Sequence, residues 1–197
     1  PKIAVSWNLT DRFKVRGSAS TTFRGPPSSF LSGTSTALAF IAPALAFKAL
    51  DTTGNAELEA EKATALNVGA IFQGDAFYAS LDFWQFDFED PFQFENGNQI
   101  VGAYTEAQCA DGETGIGSIS CDVLRGRITP NGTSIAGIQR IQRFIVNGSD
   151  IKTSGLDYAA NYTWSEVFGG TLSMGLEGTY QLEYKSDDFI SRDGIFL

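Results

Sequence analysis

Thr171 to Lys185 reads with a period of two: Leu172, Met174, Leu176, Gly178, Tyr180, Leu182 and Tyr184 fall on one face, and Thr171, Ser173, Glu177, Thr179, Gln181, Glu183 and Lys185 on the other. Side chains of an extended chain point alternately to opposite sides, whereas a helix would scatter these residues around its circumference. The stretch is therefore a long strand with one apolar and one polar face. Leu156, Tyr158, Ala160, Tyr162 and Trp164 alternate likewise just before it, and the short Ser165 to Gly170 connection makes the two a hairpin. Two earlier hairpins repeat the unit. Ile3, Val5 and Trp7 turn through Asn8 to Asp11 into Phe13, Val15, Gly17, Ala19 and Phe23, with Lys14, Arg16, Ser18, Ser20 and Thr22 opposite. Leu66, Val68, Ala70 and Phe72 turn through Gln73-Gly74-Asp75 into Phe77, Ala79, Leu81 and Phe83. After Phe83 the phase reverses and Trp84, Phe86 and Phe88 become the apolar set, which predicts a bulge or a strand that has left its apolar surroundings.

The three hairpins have turns of about three to six residues but are joined by much longer connections, near residues 24–60 and 89–150. Short turns at one end and long loops at the other are the pattern of an outer-membrane β-barrel, whose strands alternate apolar-out and polar-in. Alternation alone would also fit a sandwich, in which one face of each strand meets a dry core. Aromatic placement favours the barrel: Trp7, Phe72, Phe77 and Trp164 lie at the short-turn ends and Phe23, Phe83 and Tyr184 toward the long-loop ends, as two interfacial girdles require. Six strands cannot close around a polar interior, because open edges in hydrocarbon leave backbone groups unsatisfied. The start at Pro1 and the Gly194-Ile195-Phe196-Leu197 end suggest a piece of a longer protein that supplies the missing strands. The longest apolar run, Thr36 to Leu50, carries Pro43 and Lys48 and is too short to span a bilayer as a helix.

Composition narrows the chemistry. The chain has no histidine, which removes Ser/His/Asp and Cys/His triads and every imidazole zinc site. Catalytic residues and a metal are not expected, nor is any cofactor. The net charge of −9, without a long basic run, disfavours nucleic acid. Cys109 and Cys121 flank a Gly, Ser and Asp-rich stretch and are read as a disulfide formed in an oxidising compartment, with free thiols or a two-thiolate metal site as alternatives. The acidic run Asp87, Glu89, Asp90 and Glu95 lacks the spacing of a calcium loop. Four Asn-x-Ser/Thr sequons, at Asn8, Asn131, Asn147 and Asn161, carry no weight in a bacterial barrel, and Asn161 sits on a strand face where a glycan has no room.

Several segments resemble the C-terminal barrel half of TonB-dependent outer-membrane receptors. Arg16-Gly17-Ser18-Ala19 running into Phe23-Arg24-Gly25-Pro26-Pro27 is similar to that family's strand ending in a Phe-Arg-Ala-Pro motif. Asn55-Ala56-Glu57-Leu58-Glu59-Ala60-Glu61-Lys62, followed by Asn67-Val68-Gly69, resembles its Asn-Pro-x-Leu-x-Pro-Glu segment and the next strand; Leu81-Asp82-Phe83-Trp84 and Asn147 to Tyr158 match later strands. Gly25 and Ala60 stand where Ala and Pro are usual. The family's plug and TonB-contacting box are not found in this sequence. The resemblance implies an all-β fold, part of a barrel of about 22 strands closed by a plug. It also implies energy-coupled uptake of a scarce solute such as an iron chelate, cobalamin or oligosaccharide, in the bacterial outer membrane. The implied partners are outer-membrane lipid, the TonB complex and the solute, with a surface lipoprotein as an optional cap.

The whole chain, 1–197, then reads as one partial barrel domain of six strands. Lys14, Arg16, Asn67, Asp82, Asp157, Asn161, Glu177, Gln181 and Glu183 would face the lumen, holding the plug or the solute. Phe92, Phe94, Arg125, Arg127, Arg140 and Arg143 in the second long loop are the candidate ligand contacts, since aromatics suit a sugar and arginines an anionic chelate. The rival readings are a soluble or surface β-sandwich adhesin or carbohydrate-binding module, and a small self-contained barrel.

Overall fold

Three antiparallel hairpins build the first of two units, which comprises residues 1–24, 62–89 and 150–187. In this computed structural model, residues 1–106, 109, 121–188 and 191–192 are described; the Gly194-Ile195-Phe196-Leu197 end lies outside them. β1 (Lys2–Asn8) pairs with β2 (Phe13–Arg24). Chain order then passes through β3 (Thr34–Ile41) and β4 (Ala46–Thr53) before returning to the first unit with β5 (Glu61–Gln73) and β6 (Phe77–Glu89). After β7 (Phe92–Phe94), β8 (Ile128–Thr129) and β9 (Arg140–Asn147), the last hairpin is β10 (Ile151–Val167) and β11 (Gly170–Ser186). The sheet runs β1-β2-β5-β6-β10-β11, so every hairpin stays intact and the long insertions leave from one end of the strands. At the other end, Phe168 and Gly169 both take positive φ, the combination a two-residue hairpin turn of matching twist demands.

Register fixes the two faces. Val5 opposes Gly17, Val68 opposes Phe83, and Ala160 opposes Leu176 and Ala79, which gathers the apolar positions on one side. That side is uncovered: Ile3 is 74%, Leu176 65%, Tyr180 64% and Met174 62% exposed. In water this area would cost roughly 25 cal/mol per Å², and a sheet with so many large apolar groups outward is built for lipid. Toward the short turns Phe72, Phe77, Tyr162 and Trp164 form a chain of ring contacts with centroids 4.5–6.4 Å apart, on the apolar face where an interfacial belt is expected. Among the described residues no helix is long and apolar enough to cross a membrane, which leaves spanning by strands untouched.

At two places the register refines the local reading of the sequence. The phase reversal after Phe83 involves no bulge in β6: its pairing with β5 and β10 is continuous through Phe88. The aromatic residues Trp84, Phe86 and Phe88 instead share the face of Asp82, while Gln85, Asp87 and Glu89 take the other face, as expected where the outer surface passes from lipid to water. A bulge does occur in β11. The register shifts between Ser154 and Gly155, with Gln181 opposite Gly155 and Glu183 opposite Ser154, so Leu182 is the inserted residue. Beyond it Glu183 and Lys185 share the face of Ser154 and Lys152, and Tyr184 shares that of Thr153. Glu183 therefore parts from Gln181 and from the expected lumen set, and Tyr184 from the expected girdle.

The second unit, residues 25–61, 90–149 and 188–197, occupies the stretches read from sequence as loops. It carries its own sheet, β3-β4-β9-β7 with β8 beside β9, in which β4 and β9 run parallel. The apolar run Thr36 to Leu50 is the β3–β4 hairpin, with Pro43 in a short 3-10 turn at its tip. Ile41 and Leu50 on that hairpin pack with Ile100, Val101 and Tyr104 of α2 (Gly97–Glu106), with Leu124 of α3 (Cys121–Gly126), and with Ile128, Ile138 and Ile141. α1 (Ser28–Leu31) is a single turn. Cys109 and Cys121 are disulfide-bonded and fully buried in this core. The bridge links residues 12 apart, and closing so short a loop stabilises by about 3 kcal/mol. Reduction should accordingly lower the melting of the second unit by several degrees and leave the strands of the first intact; differential scanning calorimetry with and without reductant measures this.

Candidate functional site on the polar face of the long sheet

The polar side of the first unit is assembled from even positions of β2 and β6 and odd positions of β5 and β10. Its central feature spans three strands. Arg16 on β2 donates two hydrogen bonds to Asp82 on β6, Nε to Oδ1 at 2.8 Å and Nη2 to Oδ2 at 2.7 Å, crossing over β5. The crossing is open because Gly69 of β5 lies directly opposite Asp82: a Cβ there would collide with the carboxylate. Asp82 is buried, and its two-pronged pairing with a guanidinium satisfies it. Replacing Gly69 by Ala should displace the carboxylate, break the bridge and cost about 1–3 kcal/mol; Asp82→Asn in the Gly69→Ala background should then add little, a coupling read by a double-mutant cycle in urea.

A second arrangement lies beside it. Trp84 opposes Gly155, and a Cβ at Gly155 would overlap the indole, so the glycine makes room for the ring. The indole N–H donates to Asp157 Oδ1 at 3.1 Å, and Thr179 Oγ1 donates to the same oxygen at 2.7 Å. Asn67 donates to the Phe83 carbonyl. Trp84, Phe86 and Phe88 run as a ladder toward the long-loop end, with ring centroids 5.7 and 6.2 Å apart. The sequence hid this ladder as a phase error, although an aromatic triplet at spacing two was its visible signal.

Of the nine lumen candidates, Lys14, Arg16, Asn67, Asp82, Asp157, Asn161, Glu177 and Gln181 share this face. Arg16 and Asp82 are joined directly, Asp157 and Glu177 line one depression with them, and Lys14 and Asn161 lie toward the short turns. Glu183 faces the other way and pairs with Lys185 at 2.7 Å. Basic residues Lys2, Lys14 and Arg16 stand at the β1–β2 side, and Asp82, Asp157 and Glu177 at the β6–β11 side, which gives the face a lateral gradient of charge.

The six loop candidates sit in the second unit and are occupied by internal partners. Phe92 and Phe94 pack edge-on against Phe30. Arg125 Nε donates to the Cys109 carbonyl at 2.7 Å. Arg127 is buried against Glu95, and the same carboxylate accepts the backbone N–H groups of Phe144 and Arg192, each at 2.8 Å. The Arg127 and Arg192 guanidiniums both lie over the Phe144 ring. Arg140 grips Asp51 with Nε at 2.8 Å and Nη2 at 2.6 Å. A hydrogen bond from Thr36, and then the Arg140 contact, hold the Asp51 carboxyl below its ordinary pKa. Arg143 donates to Thr52 Oγ1 and lies over the Phe94 ring. The sequence offered no sign of Glu95 or Asp51 as the partners, because each pair is brought together from segments far apart in the chain.

The Asn55 to Lys62 segment shapes the entry to β5. Asn55 Oδ1 accepts the Glu57 N–H at 3.0 Å, its carbonyl accepts from Leu58, and Glu61 Oε2 accepts the Phe92 N–H at 3.1 Å.

The model of a family described as TonB dependent receptor-like, beta-barrel, matches residues 1–196. No curated protein sequence matches the chain. Among solved structures, the chain is similar to a mutant ferric enterobactin receptor from Pseudomonas aeruginosa in complex with enterobactin, at TM-score 0.54 and 16% identity, covering 93% of this chain and 22% of that one. It is also similar to the siderophore receptor PirA of the same organism, at TM-score 0.51 and 15% identity, covering 92% and 34%. PirA from Acinetobacter baumannii gives TM-score 0.53 and 14% identity, covering 93% and 22%. The chain thus spans between about a fifth and a third of the length of these structures.

Proposed function

Because the chain belongs to the TonB-dependent receptor β-barrel family, whose members are bacterial outer-membrane proteins, we propose that it forms part of the wall, with an extracellular subdomain, of a transporter that takes up a scarce solute with energy delivered by TonB. The observation that carries the reading is the uncovered apolar face across six strands, backed by a polar face on which Arg16 and Asp82 pair across the sheet. The first face suits lipid and the second a water-filled or plugged lumen. No rival is needed to explain it: a soluble sandwich would have to hide Ile3, Met174 and Leu176, and they are open.

In this reading residues 1–197 are one partial barrel domain, and the insertions near 24–60 and 89–150 lie on the extracellular side. The partners are outer-membrane lipid, the TonB complex reached through a region outside this chain, and a small-molecule or oligomeric solute, with a surface lipoprotein as an optional cap. The chain contributes no catalytic residues. The lumen role falls to the polar-face set around Arg16, Asp82 and Asp157. Loop contact with solute falls to Phe94 and Arg143 ahead of Arg127, which is sealed inside. Energy coupling is tested by uptake of a radiolabelled ferric chelate and of labelled cobalamin and oligosaccharide into cells carrying the full-length protein, with and without TonB. Uptake of one of them that is abolished without TonB supports the reading; uptake indifferent to TonB for all contradicts it.

A further inference from the structure

The second unit holds a cleft of about 400 Å³ whose walls include the Phe30 and Phe94 rings, set edge-on at 5.5 Å between centroids. Ser29, Ser32 and Ser35 border it. The rim is held by close backbone approach. Gly54 N–H donates to the Gly33 carbonyl at 2.9 Å, and a Cβ on Gly54 would meet the Ser32 backbone at 2.7 Å. Thr52 also lines the cleft, and its Oγ1 accepts the Arg143 Nε at 2.8 Å, so its own proton is free to be donated into the cleft.

Arg143 gives the cleft its electrical character. It is half-buried, touches the lining through Thr52 and Phe94, and has no carboxylate within 4.0 Å among the described residues. Glu95 is paired to Arg127, accepts from Arg143 through its main-chain oxygen at 3.4 Å, and acts on Arg143 as a charge without a direct ion pair. A partly desolvated guanidinium that feels a carboxylate only at a distance, as Arg143 feels Glu95, strengthens the binding of an anion brought near it. Burial accordingly pushes the Arg143 pKa down.

We propose that this cleft binds an acidic sugar, a pyranose ring bearing a carboxylate. Apolar C–H faces of the ring suit the two phenylalanines, its hydroxyls match the three serines, and the carboxylate matches the Thr52 proton backed by the Arg143 charge. The site lies in the second unit and rests on the loop-contact role given above to Phe94 and Arg143, naming the ligand chemistry that role would serve. Sugar binding is read without transport, so TonB-dependent uptake with no glucuronide binding overturns this inference and leaves the transport reading standing.

The test is titration of the full-length protein in detergent with methyl β-D-glucuronide and with methyl β-D-glucoside, read by saturation-transfer NMR. Saturable glucuronide binding is expected, weakened by about tenfold for the neutral glucoside and again by about tenfold in Thr52→Val, the loss of one charge-assisted hydrogen bond. Phe94→Ala should weaken both sugars. Thr52→Val also removes the acceptor of Arg143 Nε, so Thr52→Ser, which restores the hydroxyl, should return glucuronide binding to near the parent value, and failure of that rescue would equally overturn the proposal. Equal binding of the two sugars, unchanged binding in Thr52→Val, or no glucuronide binding would overturn the proposal.

Discussion

Leu176→Arg in the full-length protein should lose most of its folded barrel, with a penalty of about 2–4 kcal/mol if the residue lies near mid-bilayer. Leu176 projects from β11 opposite Ala160 on the uncovered apolar face and is 65% exposed, so in lipid its replacement places a guanidinium in hydrocarbon. Leu172 on the same face, opposite Trp164, lies closer to the short-turn end, where snorkelling to the interface softens the cost. Glu177→Gln, one residue away but on the polar side, should change stability by less than about 1 kcal/mol. Heat-modifiable mobility on gels and urea titration in bilayers measure all three. The contrast between neighbours fixes which side is apolar; folding into bilayers, which a soluble sandwich with the same alternation would not show, is what assigns that side to lipid.

Glu95→Ala should destabilise the second unit by about 3–5 kcal/mol, because it removes the buried carboxylate that pairs with Arg127 and accepts the Phe144 and Arg192 N–H groups. Glu95 and Arg127 are 0% and 4% exposed, so solvent screens little of this loss. The pair itself is a different quantity from the cost of breaking it. A double change to apolar residues of similar size, Glu95→Leu with Arg127→Met, should recover most of the stability lost in the single variant. Denaturant unfolding followed by protease resistance of residues 90–149 gives both values. A single variant as stable as the parent would show that the carboxylate is not the hub of this unit.

The long sheet was legible in the sequence because its physics is local. Each of the three hairpins carries its own period-two pattern and short turn, and Leu172 to Tyr180 needed no distant partner to declare a face. What the sequence concealed depended on pairing. The Leu182 insertion flips Glu183 relative to Gln181, and nothing in the alternation marks it. The Trp84, Phe86 and Phe88 ladder looked like a defect until register placed Gly155 beneath the Trp84 ring. The second unit was read as loop because its strands are short, and its parallel β4–β9 pair joins residues some ninety positions apart. Its arginines were visible as residues but not as partners: Arg140 with Asp51 and Arg127 with Glu95 are tertiary facts. The disulfide, by contrast, was readable from Cys109 and Cys121 alone.

The claim that the long sheet is membrane wall is tested most directly by single-cysteine spin labels at successive positions from 172 to 180 of the full-length protein in lipid bilayers. Cys109 and Cys121 are bonded to each other and do not interfere. Accessibility to lipid-soluble oxygen should peak at 172, 174, 176 and 180, and accessibility to a water-soluble nickel chelate at 173, 177 and 179, in alternation with the observed register. Labels at the even positions shielded from both reagents would place that face in a protein core and contradict the account.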